Sequence, residues 1–211
     1  MEFKHWLINE EEIINDQKID GLDNLIQQIK KTHPDASNNL IELIKEFITK
    51  SGVPKIEISN ISMALGASLH DKVIINTSVF NSSLKHILYV VFHEIAHQYQ
   101  YKKHGFAEMF AYFNDEHKLE DAVKLLRKTE NITDKYALAK INQIKTILQN
   151  KGENLDTSGL YGYYAHMPES MLANYIKMVK QKLKGDDVSN PEKISQTLFN
   201  IISPKKTNNN P

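Results

Sequence analysis

Two histidines with a glutamate directly after the first stand inside an apolar stretch, Val90-Val91-Phe92-His93-Glu94-Ile95-Ala96-His97. Residues four apart on a helix share one face, a turn apart. Two imidazoles so placed can both reach one metal ion at about 2.0–2.1 Å. Glu94 projects beside that point. It is badly aimed as a ligand but well placed to accept a proton from a water that the ion activates. The competing reading is a helix that merely carries two histidines. The apolar surroundings argue against it, because a buried imidazole pair needs polar partners.

A catalytic zinc site takes three protein ligands and keeps one position open. The chain has no cysteine. A thiolate metal site, a disulfide scaffold and a cysteine nucleophile are thereby excluded, and the third ligand must be His, Asp or Glu. His104 follows His97 by seven residues and His86 precedes His93 by seven. On a straight helix that is about 10 Å along the axis, out of reach of the same ion. No glycine lies between Gln98 and Lys103 to turn the chain back. Glu120, in His117-Lys118-Leu119-Glu120, reads as an ordinary charged position on an amphipathic helix. Glu169 is the preferred third ligand. An aromatic loop runs into Pro168, the glutamate falls in the first helical turn, and the small Ala173 would let its helix pack closely on the histidine helix. The alternative role for Glu169 is to complement the helix dipole.

The elements that must position these residues follow from periodicity. Residues 10–51 read as helical: Leu22, Leu25, Ile26 and Ile29 recur at helix spacing, as do Leu40, Ile41, Leu43, Ile44 and Ile48. Pro34-Asp35 separates the two stretches and Gly52 ends the second. Lys55 to Ser59 alternates with period two, and Met63–Leu69 and Lys72–Asn76 read as two further strands joined by a turn at His70-Asp71. The spacing predicts a long helix over 82–103, capped by Asn81 or Ser82. Two more helices are predicted at about 116–130 and 133–150. Residues 151–166 read as a loop rich in Gly and Tyr. Pro168 opens a helix to about Leu183, and Asn190-Pro191-Glu192 opens a last one. The tail 204–211 reads as disordered. The expectation is one domain over 1–203: a helical region to 52, sheet and active-site helix over 53–104, and a helical region from 105.

The 211 residues suffice for one domain with a core of its own. Lys and Arg number 26, as do Asp and Glu. This balance argues against a general nucleic-acid binder, which needs a basic excess. The first residues carry no apolar signal region, and no stretch has the length of a membrane span. The expected setting is the cytoplasm, for a cellular or a phage-encoded chain alike, with a virion-associated role as a further possibility.

His93-Glu94-Ile95-Ala96-His97, followed downstream by a glutamate on a second helix, resembles the gluzincin metallopeptidases, of which thermolysin is the familiar member. The closer likeness is to small single-domain gluzincins of the ImmA/IrrE and phage types. In these a stretch like Y-x-x-x-P-E-x-x-x-A supplies the third ligand, here Tyr164 to Ala173 with Pro168-Glu169 inside it. The segment from Gly66 into the motif is similar to the family's edge hairpin and active-site helix. The likeness covers about 55–104 and 160–180. It departs from the family in two ways. The gap from His97 to Glu169 is long, 169 − 97 = 72 residues. Thermolysin-like members also place an aspartate four after the ligand glutamate to support a zinc histidine, and this chain has Ala173 there, with Asn174 as the candidate substitute.

The resemblance implies an α+β, mostly helical, zincin-like fold, with a small three-stranded antiparallel sheet packed on the motif helix. It implies Zn²⁺ held by His93, His97 and Glu169, Glu94 as general base, and a peptide or protein substrate. The strand at Ala67–Leu69 would bind substrate backbone. Tyr164 or His166, from the cluster with Tyr161 and Tyr163, would stabilise the oxyanion. Neither a nucleic acid nor a membrane is expected as partner. Two other functions compete. One is a regulatory protease acting on a repressor or antitoxin, which shares the chemistry. The other is a non-catalytic, zinc-stabilised structural or virion protein, in which Glu94 would have no task.

Overall fold

The computed structural model describes residues 18–62, 64–105, 110, 113, 118–163, 166–183 and 190–203. The expected helical start at 10–17, part of the 105–118 region and the tail at 204–211 lie outside the described residues.

Helices α1 (Leu22–Thr32) and α2 (Asn38–Ser51) each bury the apolar stripe that their periodicity predicts. Ser37 caps α2 by accepting the Leu40 N–H at 3.1 Å. Gly52 ends it at φ 63°, a left-handed conformation that a side chain would strain.

Strands β1 (Ile56–Ser59), β2 (Gly66–Ser68) and β3 (Val73–Asn76) form one sheet in the order β1-β3-β2. All four residues of the central β3 are buried, in keeping with its unbroken Val73-Ile74-Ile75 run. β2 pairs antiparallel with β3 through the tight turn at His70-Asp71. β1, however, pairs parallel with β3, Ile56 opposite Val73 and Ser59 opposite Asn76. The sheet is therefore mixed, which corrects the antiparallel expectation. The segment joining β1 to β2 crosses to the far side of β3 before turning back. The buried Asn76 holds that crossing: its side-chain N–H groups donate to the carbonyls of Ile61 and Ala64, each at 2.7 Å.

A 3₁₀ turn (Thr77–Asn81) leads into α3 (Leu84–His104), with Ser83 at the cap position instead of Asn81 or Ser82. Residues Ile87 to Ala96 of α3 are buried without a gap, so this helix is covered on all sides. Helix α4 (Leu119–Asn150) is one helix of 32 residues where two were expected. It packs along α3 more extensively than any other pair of elements packs. Its buried positions recur every third or fourth residue from Ala122 to Leu148, and Thr129, Thr133 and Asp134 interrupt the apolar stripe in the middle. Helices α5 (Glu169–Leu183) and α6 (Pro191–Ile202) follow. Asn190 caps α6, its side chain accepting the Lys193 N–H at 3.1 Å, and Pro191 opens the first turn.

The buried side chains form two groups. One joins α1, α2, β1, much of β3 and α3, and the C-terminal half of α4. The other joins the start of α4 with α5, α6 and the β2 side of the sheet. None of the described helices is long and apolar enough to cross a membrane.

Candidate metal centre

His93 and His97 project from successive turns of α3 with ring centroids 5.0 Å apart. The third member comes from α4. Oε2 of Glu130 lies 3.1 Å from Nε2 of His93 and 3.6 Å from Nε2 of His97. One donor atom from each of the three lies within 4.8 Å of the others.

Glu169 is not in this group. It is exposed in the first turn of α5. The reason is packing: α5 lies mainly against α4 and α6, whereas α4 runs alongside α3 and brings its carboxylate to the histidines. Glu120 is exposed and pairs with Lys124 at 2.7 Å, the ordinary charged position its pattern suggests. His86 and His104 also stand outside the cluster. His166 is exposed, packs edgewise on Tyr161 and does not line the cleft described below. Tyr164 lies outside the described residues.

The support expected from Asn174 comes instead from Asp134, one helical turn after Glu130. Its Oδ1 lies 3.0 Å from Nδ1 of His93. A carboxylate there accepts a hydrogen bond from Nδ1–H and turns Nε2 toward Glu130. The same Oδ1 accepts the hydroxyl of Tyr89, and that hydroxyl accepts the backbone N–H of Tyr163 at 2.8 Å. Gly162 closes over the other oxygen: a Cβ there would sit 2.7 Å from Oδ2 of Asp134.

These contacts call for a cation. Burial works to lower the pKa of His93, but hydrogen bonding to Asp134 and Glu130 outweighs it and raises the pKa to about 10. Burial likewise opposes the charge on Glu130, yet His97 and His93 hold its carboxyl well below the usual range. Oε2 of Glu130 is buried, and the only partners it faces among the described residues are these two imidazole nitrogens. An imidazole nitrogen and a buried carboxylate oxygen that face each other need a proton or a metal between them. Two imidazoles and one carboxylate are a donor set that suits zinc.

Glu94 is buried beside this cluster. Burial raises its pKa, against the opposing pull of His93 and His97. Its carboxylate end rests on Gly66 of β2, where a Cβ would meet Glu94 Cγ at 2.6 Å. The centre opens into a cleft of about 480 Å³, lined by β2, α3, α4, α5 and α6. Within the β2–β3 hairpin, Leu69 N–H donates to Lys72 and Asn76 N–H donates to Leu65. An antiparallel ladder alternates, so the main chain of 65, 67 and 69 faces β3 and that of Gly66 and Ser68 faces away. The Ser68 carbonyl accordingly accepts the hydroxyl of Tyr101 at 3.1 Å. Gly66 and Ser68 both line the cleft beside Glu94. Tyr175 of α5 lines it as well, and burial, then the charges of Glu130 and Glu94, push its phenol pKa up.

The chain matches no protein-family model, and no curated protein or solved structure is significantly similar to it.

Proposed function

We propose that this chain is a zinc-dependent peptide hydrolase with a gluzincin-type, zincin-like active site. One observation carries the reading. A glutamate and an aspartate one turn apart on α4 meet the two histidines of α3, the first as an oxygen donor and the second as the hydrogen-bond partner of His93. His93, His97 and Glu130 would hold the ion; these three donors leave a further position open, as a catalytic site requires. When bound, zinc supplies Lewis acidity, acidifying a water and polarising a carbonyl.

The remaining work falls to the chain's own residues. Glu94 accepts the proton of the attacking water, and its raised pKa makes it a stronger base than a surface carboxylate. It then returns the proton to the leaving amine. Tyr175 stays protonated and donates a hydrogen bond to the developing oxyanion. The outward main-chain groups at Gly66, with the Tyr101 hydroxyl closing off the Ser68 carbonyl, pair with an extended substrate beside β2. The substrate is therefore a peptide or an extended protein segment.

Glu94→Gln is expected to retain zinc and to lower kcat by about 10²–10⁴-fold, measured on a mixed peptide library with zinc content assayed in parallel. Full turnover by the Gln variant would remove the base from the mechanism and the reading with it.

A further inference from the structure

The strand edge of the cleft is closed at one end by α3 itself. Tyr101 follows His97 by one turn, and its ring stacks on the His97 imidazole with centroids 6.3 Å apart. Its hydroxyl donates to the Ser68 carbonyl at 3.1 Å, where the N–H of an added strand would otherwise bond. Gln98, buried on the same helix, fixes Ser68 in turn: it donates to the Ser68 hydroxyl at 2.8 Å and to the Leu69 carbonyl. The Tyr101 ring also meets Phe110 at 5.3 Å, Phe110 stacks on Phe113 at 5.8 Å, and Phe113 meets Tyr175 at 5.9 Å. A row of four rings thus links the edge of β2 to α5 and walls off that end of the cleft.

The open part of the edge lies at Gly66, beside Glu94. Because the base stands there, the bond to be cut lies there also. Two residues of strand, about 7 Å, separate Gly66 from Ser68. Antiparallel pairing, the commoner and slightly stabler mode, sets the N-terminal side of the substrate toward Ser68. Apart from His93, Glu94, His97 and Glu130, no charged side chain among the described residues lines the cleft. None is therefore spare there to pair with a free terminal amine.

Resting on the peptidase reading, we propose that Tyr101 is an end-stop for the substrate strand. It holds the place of the substrate N–H that would bond Ser68, and it leaves room for only about two residues before the cut bond. The protein is then a trimmer of N-terminal chain ends and not a cutter of bonds deep within a chain. The stop is steric and reads no charge, so a terminus carrying a small acyl cap is accepted as readily as a free one.

Two measurements on the zinc-loaded protein test this. In the first, products of a randomised peptide library, with free and with acetylated N-termini, are read by mass spectrometry. Cuts are expected after the first or second residue in both forms, with kcat/KM at deeper bonds lower by at least about tenfold. Tyr101→Ala should move the cuts inward, and Tyr101→Leu, which keeps an apolar side chain beside Phe110, should do so even if the alanine variant folds poorly. Cuts spread evenly along the chain, cuts confined to the C-terminal end, or an end limit that a folded variant leaves unchanged would overturn the stop and leave the peptidase standing. Cleavage of free termini alone would overturn its steric nature. The second measurement is binding of acetylated peptide hydroxamates, whose metal-binding end fixes the register without any cleavage. Affinity is expected to fall by about tenfold once the chain exceeds two residues, and Tyr101→Ala or Tyr101→Leu should remove that fall. A fall of this kind with no cleavage of any library peptide by the wild-type protein would support the stop and overturn the peptidase. Affinity that keeps rising with length would overturn the stop.

Discussion

Glu94 and Gly66 are a matched pair: the carboxylate occupies the space that a side chain on β2 would fill. Gly66→Ala places a methyl group 2.6 Å from Glu94 Cγ, so the base must shift. Zinc content should stay unchanged while kcat falls by about 10²-fold, the usual effect of misplacing a reacting group by about 1 Å. Peptide turnover beside metal analysis checks this, and unchanged turnover would mean that Glu94 has freedom the packing does not suggest. Tyr89 acts at one remove, through Asp134. Tyr89→Phe removes a hydrogen bond to Oδ1 of Asp134 while the ring keeps its place. Zinc affinity should weaken by about 10–100-fold in a chelator competition. Equal affinity would show that Asp134 holds His93 without the Tyr89 hydroxyl. His93, Glu94 and His97 were legible in the sequence because their chemistry is local: one helix and one spacing fix all three. Gly66 was not, because a glycine's need for room depends on what packs over it.

Helix α4 explains why the third member of the cluster is harder to read. Thr129, Glu130, Thr133 and Asp134 interrupt its apolar stripe, and a polar interruption reads as a helix boundary. The helix continues because Glu130, Thr133 and Asp134 face the histidines of α3 and not water. The legible signal is the spacing itself, Glu130 and Asp134 four apart, a relation that Ala173 breaks after Glu169. The sheet shows a related limit: alternation located all three strands, but the partner of β1 is set by a crossing that no local pattern records. The loop from 151 to 163 is tied down from outside the centre. Lys85 donates to Asp156 at 2.9 Å and to the Ser158 carbonyl at 2.6 Å. Hydrogen bonds from Ser158, then Lys85, hold the Asp156 carboxyl well below its ordinary range. A pKa depressed by folding contributes stability above the unfolded value of about 3.9 and loses it as pH falls through the folded one. The Tyr163 amide, which bonds to Tyr89, should therefore lose hydrogen-exchange protection below about pH 4. Asp156→Asn should lower that protection already at neutral pH and flatten its acid dependence. Protection that is indifferent to both would separate the loop from the centre.

At the scale of the molecule, the centre lies where the two buried groups of side chains meet. α3 belongs largely to the first group, while the cleft walls from α5 and α6 belong to the second. α4 enters both, and only a helix that long can carry Glu130 and Asp134 to α3 while its N-terminal half supports α5. The mostly helical α+β architecture was readable from the pattern of elements, but the mixed pairing of its sheet was not. Which helix lies beside α3 was not, since that is a property of the packed whole, and it decides between Glu130 and Glu169. Zinc bound per chain after dialysis, compared for wild type, Glu130→Ala and Glu169→Ala, tests the central claim most directly. Wild type and Glu169→Ala should each hold about one ion, and Glu130→Ala should hold almost none. Full occupancy in Glu130→Ala, with loss in Glu169→Ala, would contradict the account.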